Sequence, residues 1–215
     1  MKIINFQNLD IQNPFNPNFS YYIVEDKIQL DNVALTKFLL NKEKEIKNIY
    51  PGGYDGDTNL GNKSITSRFS YYNLLDFKEM FFLKNIIRQN HDNFLKNLNI
   101  TIDKNYYIQC WFNVLRKGEK IDRHRHASNN ECYIGGHICV NVNNTCTYYE
   151  SPYFGTTFCS MNEPCKITLF PNWIYHYTDK VQEDFERITI AFDILTEKSY
   201  TNFVQEKFKN HWIKI

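Results

Sequence analysis

At 215 residues, with 42% hydrophobic and 16% aromatic content, the chain is long and apolar enough to bury one sizeable core. Its 25 Lys and Arg against 24 Asp and Glu leave a net charge of +1, which argues against a whole-molecule field directed at nucleic acid or an anionic membrane. No run approaches the roughly 18 apolar residues of a bilayer span, and Met1 to Asn18 has no charged-then-apolar signal pattern, so a soluble, cytoplasmic protein is expected.

Three regions are expected within one domain: an N-terminal helical support over 1–104, a β-rich core over 105–195 and a segment over 196–215 that packs back. Tyr21 to Ile28 (YYIVEDKI) is β-branched and aromatic and reads as a strand. Asp31 then caps a helix in which Val33, Leu35, Phe38, Leu39 and Ile46 recur at near-helical spacing, ending before Pro51. Residues 51–72 carry Gly, Asn, Asp and Ser at turn-forming density and predict a long ordered loop. A second helix is predicted from the capping pair Asp76 and Glu79 to Leu98, with Met80, Ile87, Phe94, Leu95 and Leu98 on its apolar side and His91 a surface or packing residue.

From Asn105 the character changes to short β-rich runs: NYYIQCWFNVL, HICVNV, TYYE, KITLFP and RITIAFDI, separated by polar turns. Strands at this spacing favour a sandwich or barrel over a βαβ sheet. Glu197 to Ile215 reads as a helix with Phe203, Phe208 and Trp212 packing back. The six cysteines (Cys110, Cys132, Cys139, Cys146, Cys159, Cys165) come without a secretory pattern or a CxxC pair and are expected to be reduced structural thiols.

Four of the six histidines fall between 124 and 176. On an extended backbone His124 and His126 point the same way, the geometry of a metal pincer. His176, after KITLFPNW, supplies a third imidazole. The pair alone also fits a solvated edge beside Arg123 and Arg125, and imidazole suits Zn, Fe, Cu and Ni alike. Arg187 lies eleven residues beyond His176, where alternation places it on one strand face with Thr189 and Ala191. A planar guanidinium beside a hydroxyl suits a bidentate grip on a carboxylate; the alternative is an edge arginine paired with Glu186 or Asp184.

WFNVLRKGEKIDRHRH, GGHICV, PCKITLFPNWIYHYT and ERITIAFD together resemble the 2-oxoglutarate- and iron(II)-dependent oxygenases of bacteria and phages. The resemblance spans about 105–195 and implies a mainly β fold with flanking helices: a double-stranded β-helix, jelly-roll and cupin-like, with the N-terminal helices packed on it. It implies His124 and His176 as iron(II) ligands, Arg187 on the distal carboxylate of 2-oxoglutarate and Thr189 assisting. Asn113 and Tyr133 are further candidate cosubstrate contacts. His126 stands where most such oxygenases carry Asp or Glu, and is either the third ligand or a substrate-facing residue. GGHIC replaces a strand that usually brings a tyrosine to the cosubstrate, and Cys165 replaces a glycine.

The implied activity is that of a dioxygenase, hydroxylating a small-molecule or macromolecular substrate with dioxygen while 2-oxoglutarate is decarboxylated to succinate. Its catalytic set is His124, His126, His176 and Arg187, with loop 51–72 as lid and Arg68 as a substrate contact. Two rivals remain at this stage. One is a cupin of different chemistry in which Glu131 joins the three histidines and Arg187 touches no cosubstrate. The other is a closed, four-coordinate zinc module without turnover, its fourth ligand Cys132 or Cys139.

Overall fold

The computed structural model describes residues 1–9, 15, 18–49, 60–61, 63–68, 73–101, 103–126, 133–143, 145–151 and 155–215. Strands β1 (Lys2–Asn8) and β2 (Phe19–Lys27) precede helix α1 (Asn32–Ile49), and the short β3 (Ile65–Thr66) precedes helix α2 (Phe81–Asn97). The core follows as β4 (Tyr106–Leu115), β5 (Ile134–Asn141), β6 (Cys146–Glu150), β7 (Thr157–Met161), β8 (Lys166–Pro171), β9 (His176–Thr178) and β10 (Arg187–Thr196). Helix α3 (Glu197–Phe203) and β11 (Ile213–Lys214) complete the chain.

Among the described residues the strands form an eight-stranded sheet, ordered β1-β2-β8-β5-β10-β4-β11 with β3 on β4, and a three-stranded sheet ordered β7-β6-β9. All pairings are antiparallel. An isolated antiparallel bridge, His124 to His176, widens the smaller sheet. This is the expected double-stranded β-helix with flanking helices. The region over 1–104 is more than a helical support, because β2 pairs with β8 and carries β1 into the large sheet.

Alternation explains why the large sheet has two unlike faces. In β4, Ile108, Cys110, Phe112 and Val114 join the main apolar core, as do Ile188, Ile190, Phe192 and Ile194 in β10. The intervening Gln109, Trp111, Asn113, Arg187, Thr189 and Ala191 line a cavity instead. Helices α1 and α2 close the apolar face with Leu35, Leu39, Ile46, Leu83, Ile87, Phe94 and Leu95. Asp31 caps α1 as expected, accepting from the Ala34 amide at 3.0 Å, but Val33 is 82% exposed.

Three expectations need correction. The second helix begins later, after tight 3₁₀ turns over Leu74–Asp76 and Lys78–Met80, and the capping oxygen belongs to Asn73, which accepts from the Leu75 amide at 3.0 Å. The tail is not one helix: α3 gives way to a 3₁₀ turn over Glu206–His211 and then to β11, which pairs with β4, so Phe203 and Phe208 stay 52% and 43% exposed. Cys146 and Cys159, diagonal neighbours across β6 and β7, are joined by a disulfide where reduced thiols were expected. Cys110 and Cys139 are buried free thiols, and Cys165 is a partly buried one.

Candidate metal centre and anion pocket

The two sheets enclose a cavity of about 550 Å³, bounded on the large sheet by Trp111, Asn113, Arg187 and Thr189 and on the small one by Thr147, His176 and Thr178. The bridge holds the first and last histidines together: the His124 amide donates to the His176 carbonyl at 3.0 Å and the His176 amide to the His124 carbonyl at 2.9 Å. His126 is tied next to them by its amide, which donates to Asn172 O at 2.9 Å. One potential ligand atom from each of His124, His126 and His176 falls within 4.8 Å of the others.

The other ring nitrogen of each histidine is engaged. His124 Nδ1 meets Asp122 O at 2.8 Å and His176 Nδ1 meets Ile174 O at 3.0 Å. A carbonyl only accepts, so both Nδ1 atoms carry the proton and both Nε2 lone pairs are left for a cation. His126 Nδ1 meets the Asp193 carboxylate at 2.6 Å. Burial, with His126 close by, pushes His124 down to about 4. Burial and the neighbouring imidazoles hold His176 well below the ordinary imidazole value. Both rings are therefore neutral at physiological pH, the form that ligates metal.

Arg187 lies in the same cavity, 1% exposed, and its Nε and Nη1 have no hydrogen-bond partner among the described residues. Burial draws its guanidinium below the ordinary value. Two unmet donors on a buried cation cost about 1–3 kcal/mol each or more, a debt that an anionic ligand would cancel. The Glu186 and Asp184 pairing considered for an edge arginine is absent from the ion pairs of the described residues. Thr189 and Asn113 face each other across β10 and β4, and both line the cavity. His137 also lines it, with Nε2 buried and without a partner among the described residues; burial, then the charges of Arg187 and Lys166, push this ring down to about 3.

Tyr133 is not part of this constellation. It precedes β5, so the strand's alternation does not govern it, and its hydroxyl lies 2.7 Å from His91 Nε2, beside the core that faces α2. His91 is fully buried rather than superficial. Arg68 does line the cavity, but its Nη2 donates to Asp193 Oδ2 at 3.3 Å and its guanidinium lies over Trp111 at 4.5 Å. Asp193, Trp111 and His137 were missed in the sequence. Asp193 shares the alternating face of Arg187 and Thr189, but nothing local marks His126, far away in sequence, as its partner.

Most of loop 51–72, the expected lid, lies outside the described residues. Its described part is fixed at the β4 edge, where β3 pairs and the Ser67 amide donates to Phe112 O at 2.8 Å. Glu131 and Cys132, fourth ligands in the two rival readings, also lie outside the described residues. Cys139 is outside the ligand cluster, with its thiol 3.5 Å from Asn162 Oδ1.

No family model matches the sequence, and no curated protein does. Solved structures do match the fold. A prolyl-4-hydroxylase from Pseudomonas putida aligns with TM-score 0.59 and 9% identity over 81% of this chain and 92% of that one. A prolyl hydroxylase from Trichoplax adhaerens, solved with a hypoxia inducible factor peptide fragment, aligns with TM-score 0.55 and 12% identity over 86% and 87%. HygX from Streptomyces hygroscopicus, solved with nickel and 2-oxoglutarate bound, aligns with TM-score 0.53 and 9% identity over 81% and 83%. By its fold, the chain is a double-stranded β-helix of the kind that builds the prolyl hydroxylases.

Proposed function

We propose that this chain is an iron(II)- and 2-oxoglutarate-dependent oxygenase, holding iron through His124, His126 and His176 and the cosubstrate through Arg187. The observation that carries this reading is the presence of both halves in one cavity: converging imidazoles with their Nδ1 sides engaged, and a buried guanidinium with unmet donors. A facial set of three protein ligands leaves coordination positions open, unlike a closed structural zinc site. The donor set fits iron, and the unpaired Arg187 fits a carboxylate.

Iron(II) with 2-oxoglutarate and dioxygen supplies, when bound, an oxidant able to hydroxylate a C–H bond, 2-oxoglutarate leaving as succinate and carbon dioxide. The protein's own contribution is placement. Arg187 neutralises the distal carboxylate, Thr189 offers its hydroxyl beside it, and Asn113 adds an amide from the facing strand. The apolar surfaces of Trp111, Phe170 and Ala191 limit water in the cavity. Phe203 and Phe208 are half-exposed on the cavity wall and offer aromatic surface to an incoming substrate.

The test is anaerobic titration of the protein with iron(II) and 2-oxoglutarate, following the weak visible charge-transfer absorption of the chelate. Wild type is expected to develop the band, and Arg187→Ala to need at least about tenfold more 2-oxoglutarate, the loss of a charge-assisted pair. Bound iron with no band in wild type would sink the reading and favour a cupin chemistry that bypasses Arg187.

A further inference from the structure

We propose that Asp193 is a positioning residue for the metal centre, supplying through His126 the negative charge that three neutral imidazoles lack. The inference rests on the triad reading above. A dication held by imidazoles alone would keep its full charge in a buried cavity, and an uncompensated buried charge is costly. Among the described residues, one triad histidine is backed by a carboxylate: His126 Nδ1 meets Asp193 at 2.6 Å, whereas His124 and His176 meet neutral carbonyls at 2.8 and 3.0 Å. A carboxylate behind an imidazole fixes its tautomer and ring angle and raises the basicity of the opposite nitrogen.

The surroundings of Asp193 hold that carboxylate in place. It is 4% exposed, and its second oxygen accepts from Arg68 Nη2 at 3.3 Å. Arg68 is itself laid over the Trp111 ring. Across the β10–β5 ladder, the residue opposite Asp193 is Gly135. A Cβ at Gly135 would sit 3.2 Å from Asp193 Oδ1 and 3.3 Å from the Phe170 ring, so the glycine leaves room for the oxygen that His126 uses. Strand β10 thus carries, on one face, Arg187 for an anionic ligand and Asp193 for the metal ligand.

The experiment is titration of metal-free protein with cobalt(II), an air-stable iron surrogate, in wild type, Asp193→Asn, His126→Ala and the double variant. Asp193→Asn keeps the shape and an acceptor oxygen but removes the charge; it is expected to weaken cobalt binding by about 10- to 100-fold. In the His126→Ala background the same change is expected to alter affinity by less than about twofold, because the route to the metal is gone. Equal losses in both backgrounds, or wild-type affinity in Asp193→Asn, would overturn the inference while leaving the triad standing. Failure of wild type to bind cobalt at this site would overturn both. Thermal melts of the metal-free variants report folding. If Asp193→Asn does not fold, Gly135→Ala, which crowds Oδ1 but keeps the charge, replaces it and is expected to weaken binding in the same direction.

Discussion

Arg187 lies in a folded environment that offers its Nε and Nη1 no partner among the described residues, and that fits an added anion. A guanidinium 1% exposed, with Nε and Nη1 unpaired among the described residues, holds desolvated charge without compensation. Stability and function therefore oppose each other at this position. Replacing Arg187 by Met, unbranched, flexible and apolar, is expected to leave the ligand-free protein as stable as wild type or more stable, by roughly 1–4 kcal/mol. On the proposed function, 2-oxoglutarate should raise the melting temperature of metal-loaded wild type and not that of the variant, since such a rise is binding energy expressed as stability. Thermal unfolding with and without 2-oxoglutarate measures both. A variant that melts well below wild type in the absence of ligand would mean that Arg187 is a structural cation after all.

Helix α1 shows the same principle at the scale of an element, with the partners in place. Its buried stripe runs Leu35, Leu39, Glu43, Ile46, a carboxylate in an otherwise apolar series. Glu43 is buried because Arg116, just past β4, donates Nη1 and Nη2 to its two oxygens at 2.6 and 2.7 Å, and Lys47 adds a contact at 2.8 Å. These charges hold its carboxyl below the ordinary range despite the opposing effect of burial. Glu43→Ala is expected to cost about 2 kcal/mol, the value of charge-assisted hydrogen bonds left unmade, and denaturant unfolding would measure it as a lower midpoint with unchanged slope. An unchanged midpoint would show that the fork is ornamental. Periodicity places Glu43 on the buried face, but its charge alone would have turned it to solvent, because its partner lies on another element. The same limit explains what else was legible. Strands β4, β8 and β10 and the helix stripes declare themselves through local alternation, and the histidine pair through spacing of two. Strand β1 (KIINFQN) is too polar to declare itself and exists by edge pairing with β2. Asp193 and His137 gain meaning only from strands that are neighbours in space.

For the whole molecule, a net charge of +1 leaves little global repulsion to govern its response to acid. Specific groups decide it instead. Burial holds His124 at about 4 and His137 at about 3, and His176 well below the ordinary value, while in the unfolded chain all three return to about 6.5. As pH falls below about 6.5 the unfolded chain takes up protons that the folded one refuses, so stability declines with acidification down to the folded values and is flat above. The carboxylates of the partly buried Glu25 and of the buried Glu43 and Asp193 are likewise held below their ordinary values, so they add their loss only at lower pH, below their ordinary range. The window between about 6.5 and 4.5 therefore isolates the imidazoles. The melting temperature of metal-free protein is expected to hold steady from pH 8 to 7 and fall progressively from 6.5 to 5. Cobalt-loaded protein is expected to fall more steeply, because protons then also compete for the three ligands. His137→Phe, away from the triad, should flatten the metal-free curve without changing its sign. A melting temperature that stays constant from pH 7 to 5 would mean that these rings reach solvent, and with it that the cavity is not the dry site the proposed chemistry requires.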